Sequence, residues 1–151
     1  MKFFLDIDGV MVHANSSRKL EFDNDGFYKF NETAIVALQN FYEDNHNNCL
    51  EEVILSTSHR FRFTIPEWEE IFHSRGLRIN KISRIETELD YNNSRKVEIL
   101  NWISERKLDI NEIIIIDDDK SLNGLSKELK TRLVLTNPYT GLDSSMIRHF
   151  F

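Results

Sequence analysis

The chain has 151 residues, a formal net charge of −6 and one cysteine, a length that fits a single domain over 1–151 burying roughly 68–70% of its unfolded surface. The acidic balance opposes sequence-independent adhesion to nucleic acid or anionic lipid, so any phosphate site has to be built locally. Lone Cys49 excludes an internal disulfide, no Cys/His cluster has zinc spacing, and the apolar start Phe3-Phe4-Leu5 is cut at Asp6, far short of a signal sequence or membrane span; a soluble protein of the reducing cytoplasm with no membrane partner is expected.

In chain order, the first strand is predicted over Lys2 to Asp8, an apolar run that ends in Asp6-Ile7-Asp8-Gly9-Val10. Lys19 to Phe22 and Phe27 to Phe30 flank Asp23-Asn24-Asp25-Gly26, a turn sequence between strand-like runs that reads as a β-hairpin. The same stretch has calcium-loop spacing, with Gly26 sixth and Glu32 twelfth, but Glu21 stands where the leading Asp belongs and no helix precedes it, so the hairpin is preferred. A helix follows behind an Asn31 cap, with Ala34, Ile35, Leu38, Phe41 and Tyr42 on one stripe.

A second strand is predicted over Glu52 to Thr57. The next helix opens on a capping box, Thr64 with Glu67, carries Pro66 in its first turn and stops at Gly76, with Trp68 and Phe72 in the core. A third strand spans Leu77 to Ser83, and a third helix opens near Ser94, burying Val97, Leu100 and Ile103. The fourth strand, Glu112 to Ile116, runs into Asp117-Asp118-Asp119; a short helix through Leu125 and Leu129 and a strand over Arg132 to Thr136 follow. Continuous rather than alternating apolar strands that alternate with helices specify a doubly wound α/β fold, a parallel five-stranded sheet covered on both faces.

Two strands that both discharge carboxylates at one end of a sheet predict a shared cation, because desolvating unpaired acids costs several kcal/mol per ion. Hard oxygen ligands suit Mg²⁺. In open α/β sheets ligands collect beyond the carboxyl ends of the strands, where Asp6, Asp8, Thr57 and Asp117 are expected to meet. Asp6 and Asp8, two apart, share a face on an ideal strand, with a bend at Gly9. One such carboxylate beside Mg²⁺ can attack phosphorus while the other protonates the leaving oxygen and then activates water.

These residues resemble the haloacid dehalogenase (HAD) superfamily, whose four motifs occur in order over nearly the whole chain. The resemblance implies a Rossmann-like HAD core and a Mg²⁺-dependent phosphatase. Phe4-Leu5-Asp6-Ile7-Asp8-Gly9-Val10 would supply the nucleophile Asp6 and the general acid/base Asp8, with the Asp8 backbone carbonyl also on magnesium. Val53-Ile54-Leu55-Ser56-Thr57-Ser58 would supply the phosphate-binding hydroxyl, Thr57 or, one position earlier, Ser56. Ser94-Arg95-Lys96-Val97 would supply the phosphoryl-stabilising cation, Arg95 with Lys96 as alternative. Asp117 would sit directly on Mg²⁺, with Asp118 or Asp119 holding its waters. A closer resemblance is to small HAD domains associated with RNA repair, in which Ser-Xaa-Arg and Gly-Leu follow the second and fifth strands; here these are Ser58-His59-Arg60 and Gly141-Leu142, with His59 where that group often has tryptophan. Gly9, Ser58, Arg60 and Lys96 would then line the substrate.

HAD enzymes use inserted cap domains to select small substrates, and here only the hairpin occupies that place. A nearly capless site is expected to accept a phosphate on a nucleotide, a nucleic-acid end or a phosphoprotein. Arg60-Phe61-Arg62-Phe63 reads most simply as core aromatics between exposed arginines, with Arg60 alone expected at the substrate, and His13 reads as a surface residue. Two alternatives lack turnover. A receiver-type signalling domain would carry its phosphorylated aspartate on the third strand, and a phosphate-binding module would need no acid/base at Asp8.

Overall fold

The five strands hydrogen-bond in the order β3-β2-β1-β4-β5, all parallel. They are β1 (Lys2–Leu5), β2 (Leu50–Leu55), β3 (Ile79–Arg84), β4 (Ile113–Asp117) and β5 (Leu133–Leu135). The structure is a computed structural model and describes residues 1–44, 48–88 and 92–151. Helices α1 (Glu32–Gln39), α2 (Ile65–Ser74), α3 (Arg95–Arg106) and the single-turn α4 (Lys127–Lys130) connect the strands. None of the helices among the described residues is long and apolar enough to cross a membrane.

The unbroken apolar strands have a direct cause. Phe3, Leu5, Ile114 and Ile116 pack on one side against Leu38, Phe72 and Ile147, whereas Phe4, Ile113 and Ile115 pack on the other against Ile99, Trp102 and Leu129. Alternate side chains point to opposite faces and both faces are covered, so neither parity can be polar. The connections through α1 and α2 step from β1 to β2 to β3, and those through α3 and α4 run on the opposite side of β1, so the strand order reverses between β1 and β4.

Several local expectations hold. Thr64 accepts from Glu67 N at 3.2 Å while Glu67 Oε1 accepts from Thr64 N at 3.1 Å, the reciprocal capping box that starts α2. Trp68 and Phe72 are fully buried. The hairpin exists in reduced form: one antiparallel bridge joins Phe22 and Tyr28, flanked by Asp23 N to Phe27 O and Lys29 N to Glu21 O, both 2.9 Å. Asp25 binds the guanidinium of Arg75 with both oxygens, at 2.7 and 2.9 Å, and Arg75 Nε donates to Tyr28 O. The hairpin acids therefore pair with Arg75, which pins the hairpin to the end of α2.

Other expectations need correction. The first strand ends at Leu5 rather than Asp8. Asn31 precedes α1 without a side-chain capping bond; its backbone N–H instead donates to Met11 O at 2.8 Å. Leu125 lies outside α4, at the end of the 3₁₀ turn Lys120–Gly124. In α3 the buried residues are Ile99 and Trp102, Leu100 and Ile103 are half-buried, and Val97 is exposed. Arg95 and Glu98 share the stripe of Ile99 and Trp102, and both are drawn inward by ion pairs, to Asp117 and Arg60 respectively. Those pairs set the rotation of the helix.

Candidate active site

The strand register places the site. Leu5 at the end of β1 is level with Leu55 of β2 and Ile116 of β4, so Asp6, Ser56 and Asp117 follow side by side across the middle of the sheet. Asp6 N still donates to Ile116 O at 3.1 Å, after which the chain leaves the sheet in a tight loop with Val10 N and Met11 N donating to Ile7 O. This is the carboxyl edge, at the reversal of strand order.

Asp6, Asp117 and Asp118 each present an oxygen, and the three oxygens lie within 4.8 Å of one another. Asp117 is fully buried and Asp6 nearly so. Gly9 makes this approach possible. Its φ is +80°, and a Cβ there would overlap Asp118 Oδ2, so a side chain is excluded by both backbone conformation and space. Gly141, at φ +77°, serves the same purpose farther from the cluster: a Cβ would lie 2.7 Å from Val10 O, which accepts from Leu142 N at 2.9 Å. The Gly-Leu pair thus braces the loop that carries Asp6. Thr136 adds a bond from its hydroxyl to Gly9 O at 2.6 Å.

Arg95, the first residue of α3, reaches Asp117 at 2.5 Å and Asp6 at 3.5 Å. Burial opposes its charge, but Asp117 and Asp6 outweigh that and hold its pKa above the ordinary arginine value. Burial, and then the charge of Asp6, push Asp117 well above the usual carboxylate range against the opposing pull of Arg95. Burial and Asp6 likewise raise Asp118, to about 6. With all three carboxylates ionised against one guanidinium, the cluster carries an excess of two negative charges, which a divalent cation would balance. The donors are hard oxygens on one edge, a set that fits Mg²⁺. Asp119 stands beside the cluster: its backbone N–H donates to Asp117 Oδ1 at 3.0 Å, while its carboxylate caps the following turn at Ser121 N.

The Asp8 carboxylate is not in this group. It is 39% exposed and pairs with His59, Oδ2 to Nε2, at 2.7 Å. The loop after β2 brings the two together. Thr57 is fully buried, and its hydroxyl oxygen accepts from His59 N at 3.2 Å, a bond that does not use the hydroxyl proton. Ser56 is equally buried, and its hydroxyl has no partner among the described residues. Ser58 is exposed at the rim. Lys96 lies along the 3₁₀ turn after β4, its Nζ 3.1 Å from where a Cβ of Gly124 would stand.

Arg60 requires a correction. Expected at the substrate, it is fully buried, donating to Ile85 O, Thr57 O and Thr87 O and pairing with Glu98 at 2.5 Å. Four of its five N–H donors are taken by protein acceptors, and it ties the β2 loop to α3. Phe61, expected inside, is exposed together with Arg62, and Phe63 is half-buried. His13, expected on the surface, is buried with its ring between Lys19 O and Asn15 N. Sequence reasoning gave His59 no role, and its one signal was position, two residues beyond the strand-end hydroxyl. The strand β3, Ile-Asn-Lys-Ile-Ser-Arg, carries no carboxylate for a receiver-type site.

The model of one protein family, described as the HAD domain in Swiss Army Knife RNA repair proteins, matches residues 3–147. No curated protein and no solved structure matches the chain.

Proposed function

This chain belongs to the family of HAD domains in Swiss Army Knife RNA repair proteins, and from that membership and the acid cluster we propose that it is a Mg²⁺-dependent phosphomonoesterase acting on phosphorylated nucleic-acid ends. Phosphohydrolase-type chemistry follows from the family; metal, mechanism and substrate are our reading. The observation that carries it is the gathering of Asp6, Asp117 and Asp118 around Arg95 where the strand order reverses.

Asp6 is the nucleophile: one of its oxygens forms a bond to phosphorus as the ester P–O bond breaks. Asp8 gives its proton to the departing ester oxygen. It then takes a proton from the water that attacks the phosphorus, and the P–O bond to Asp6 breaks to free inorganic phosphate. Thr57 and Arg95 hold the phosphoryl oxygens, and Ser58 and Lys96 extend the polar rim toward the substrate. Asp6, Asp117 and Asp118, with the backbone carbonyl of Asp8, would hold the metal. A bound Mg²⁺ supplies charge neutralisation that lets an anionic phosphate approach these carboxylates. Only the pinned hairpin lies between β1 and α1 to cover the site, which supports a phosphate carried on a large molecule. The cytoplasm, where Mg²⁺ and RNA ends coexist, is the proposed setting.

The test is a screen with Mg²⁺ of 3′- and 5′-phosphorylated oligoribonucleotides, nucleotides, phosphopeptides and sugar phosphates, alongside Asp6→Asn. Turnover that is highest on the oligoribonucleotides and lost in Asp6→Asn with the circular dichroism unchanged supports the proposal; undiminished turnover in that variant removes Asp6 from its role.

A further inference from the structure

We propose that His59 is a positioning residue for the leaving-group step, holding the Asp8 carboxylate in the orientation from which its proton passes to the departing ester oxygen. The inference rests on the acid/base role of Asp8 given above.

The two carboxylates of the first motif are held in different ways. Asp6 is buried among Asp117, Asp118 and Arg95. Asp8 has no such surroundings: its side chain is 39% exposed, and His59 is its only side-chain hydrogen-bond partner among the described residues. The contact, at 2.7 Å, engages Oδ2 and leaves Oδ1 without a hydrogen-bond partner among the described residues. An acid that turned freely about its side-chain bonds would spend little time aligned with the leaving oxygen, and misalignments of this kind cost rate steeply.

His59 can serve as a clamp because it is itself fixed from three sides. Its backbone N–H donates to the Thr57 hydroxyl, so one residue ties together the phosphate-binding hydroxyl and the proton donor. Its ring stands edge-on to Phe27, with centroids 5.6 Å apart, and to Tyr28, with centroids 5.5 Å apart. Phe27 is fully buried and makes a further edge contact with Trp68. The hairpin carrying both rings is locked by the bidentate Arg75–Asp25 pair. A continuous frame therefore runs from α2 through the hairpin to His59 and on to Asp8. With the proton on Nε2, the imidazole donates to Oδ2 whether Oδ1 is protonated, as in phosphoryl transfer to Asp6, or ionised, as when water is activated. The contact needs no change of state in the histidine.

The distinguishing readout is leaving-group dependence. Departure of an alkoxide needs the proton from Asp8, whereas p-nitrophenolate leaves without it. Because kcat/KM reports events through formation of the aspartyl-phosphate, it isolates this step from the later attack of water. His59→Phe keeps the edge contacts with Phe27 and Tyr28 but removes the donor. His59→Gln restores a donor near the Nε2 position. Both are compared with the wild type on a 3′-phosphorylated oligoribonucleotide and on p-nitrophenyl phosphate, with thermal melts to establish folding. The expected result in His59→Phe is a tenfold or greater loss of kcat/KM on the oligoribonucleotide, less than threefold on the aryl ester, and partial recovery on the oligoribonucleotide in His59→Gln. Equal losses on the two substrates, no loss on either, or no recovery in His59→Gln overturns the inference. If His59→Phe melts below assay temperature, the comparison of His59→Gln with His59→Ala decides it by the same ratios. Asp8→Asn separates the two levels: loss of oligoribonucleotide turnover there with indifference to His59 substitution leaves the acid/base role standing and refutes only the clamp, whereas turnover retained in Asp8→Asn refutes both.

Discussion

Asp118→Asn is expected to make the metal-free protein more stable at neutral pH and the Mg²⁺-bound protein less so. In the wild type, burial and the charge of Asp6 raise the Asp118 carboxyl from the ordinary 3.8 to about 6. A carboxyl with a folded value above its unfolded one binds its proton more tightly when folded. Its contribution is thus neutral below about pH 4 and turns destabilising as pH rises, reaching its full size above about pH 6. A shift of this size corresponds nominally to about 3 kcal/mol, which water around a half-buried side chain reduces to about 1 to 2 kcal/mol. Urea unfolding followed by circular dichroism in a chelator should therefore show Asp118→Asn ahead of the wild type by about that amount near pH 7.5, and level with it near pH 4. Saturating Mg²⁺, at about 100 times its Kd, should add about 2.7 kcal/mol to the wild type and much less to the variant. A variant that is less stable than the wild type at neutral pH without metal, or a gap that does not change with pH, would refute the electrostatic account of the cluster.

Gly9→Ala should lose about 1 to 3 kcal/mol from the left-handed backbone alone, and the Cβ displaces Asp118; Mg²⁺ titration by calorimetry should show the metal affinity falling with it. Arg60→Met strands Glu98 and three backbone carbonyls in the interior, with an expected cost of about 3 to 5 kcal/mol in urea unfolding; a loss below about 1 kcal/mol would return Arg60 to the substrate side. Arg95→Gln removes the cation that competes with a metal for Asp6 and Asp117. It should bind Mg²⁺ more tightly while kcat falls by about 10²-fold or more, and weaker Mg²⁺ binding in that variant would contradict the charge count.

The parallel sheet was legible in the sequence because its signal is local. Ile113 to Ile116 has to be apolar at every position only if both faces are covered, and both are. The Thr64 and Glu67 capping box and the buried Trp68 and Phe72 were legible for the same reason: the partners lie within a few residues of one another. The rotation of α3 was not, since it depends on Arg95 finding Asp117 and Glu98 finding Arg60, each pair meeting across elements. Arg60 illustrates the difficulty best. An arginine in a loop beside a phosphate site has the composition of a substrate contact, and only the position of Glu98 on α3 shows that its charge is already matched.

What the residue order determined by itself is the inventory and its rough location: acids at the ends of two apolar strands, a glycine where the first strand breaks off, a hydroxyl and a cation in the intervening connections. Tertiary structure decided how those groups are partnered. Asp6 went into the buried cluster and Asp8 to His59, 51 residues away; Arg95 was left between two acids and Arg60 was consumed inside. The reason is that helix and strand propensities act between near neighbours along the chain, whereas Coulomb and hydrogen-bond energies depend on separations in space, which exist only after the sheet has brought distant segments to one edge.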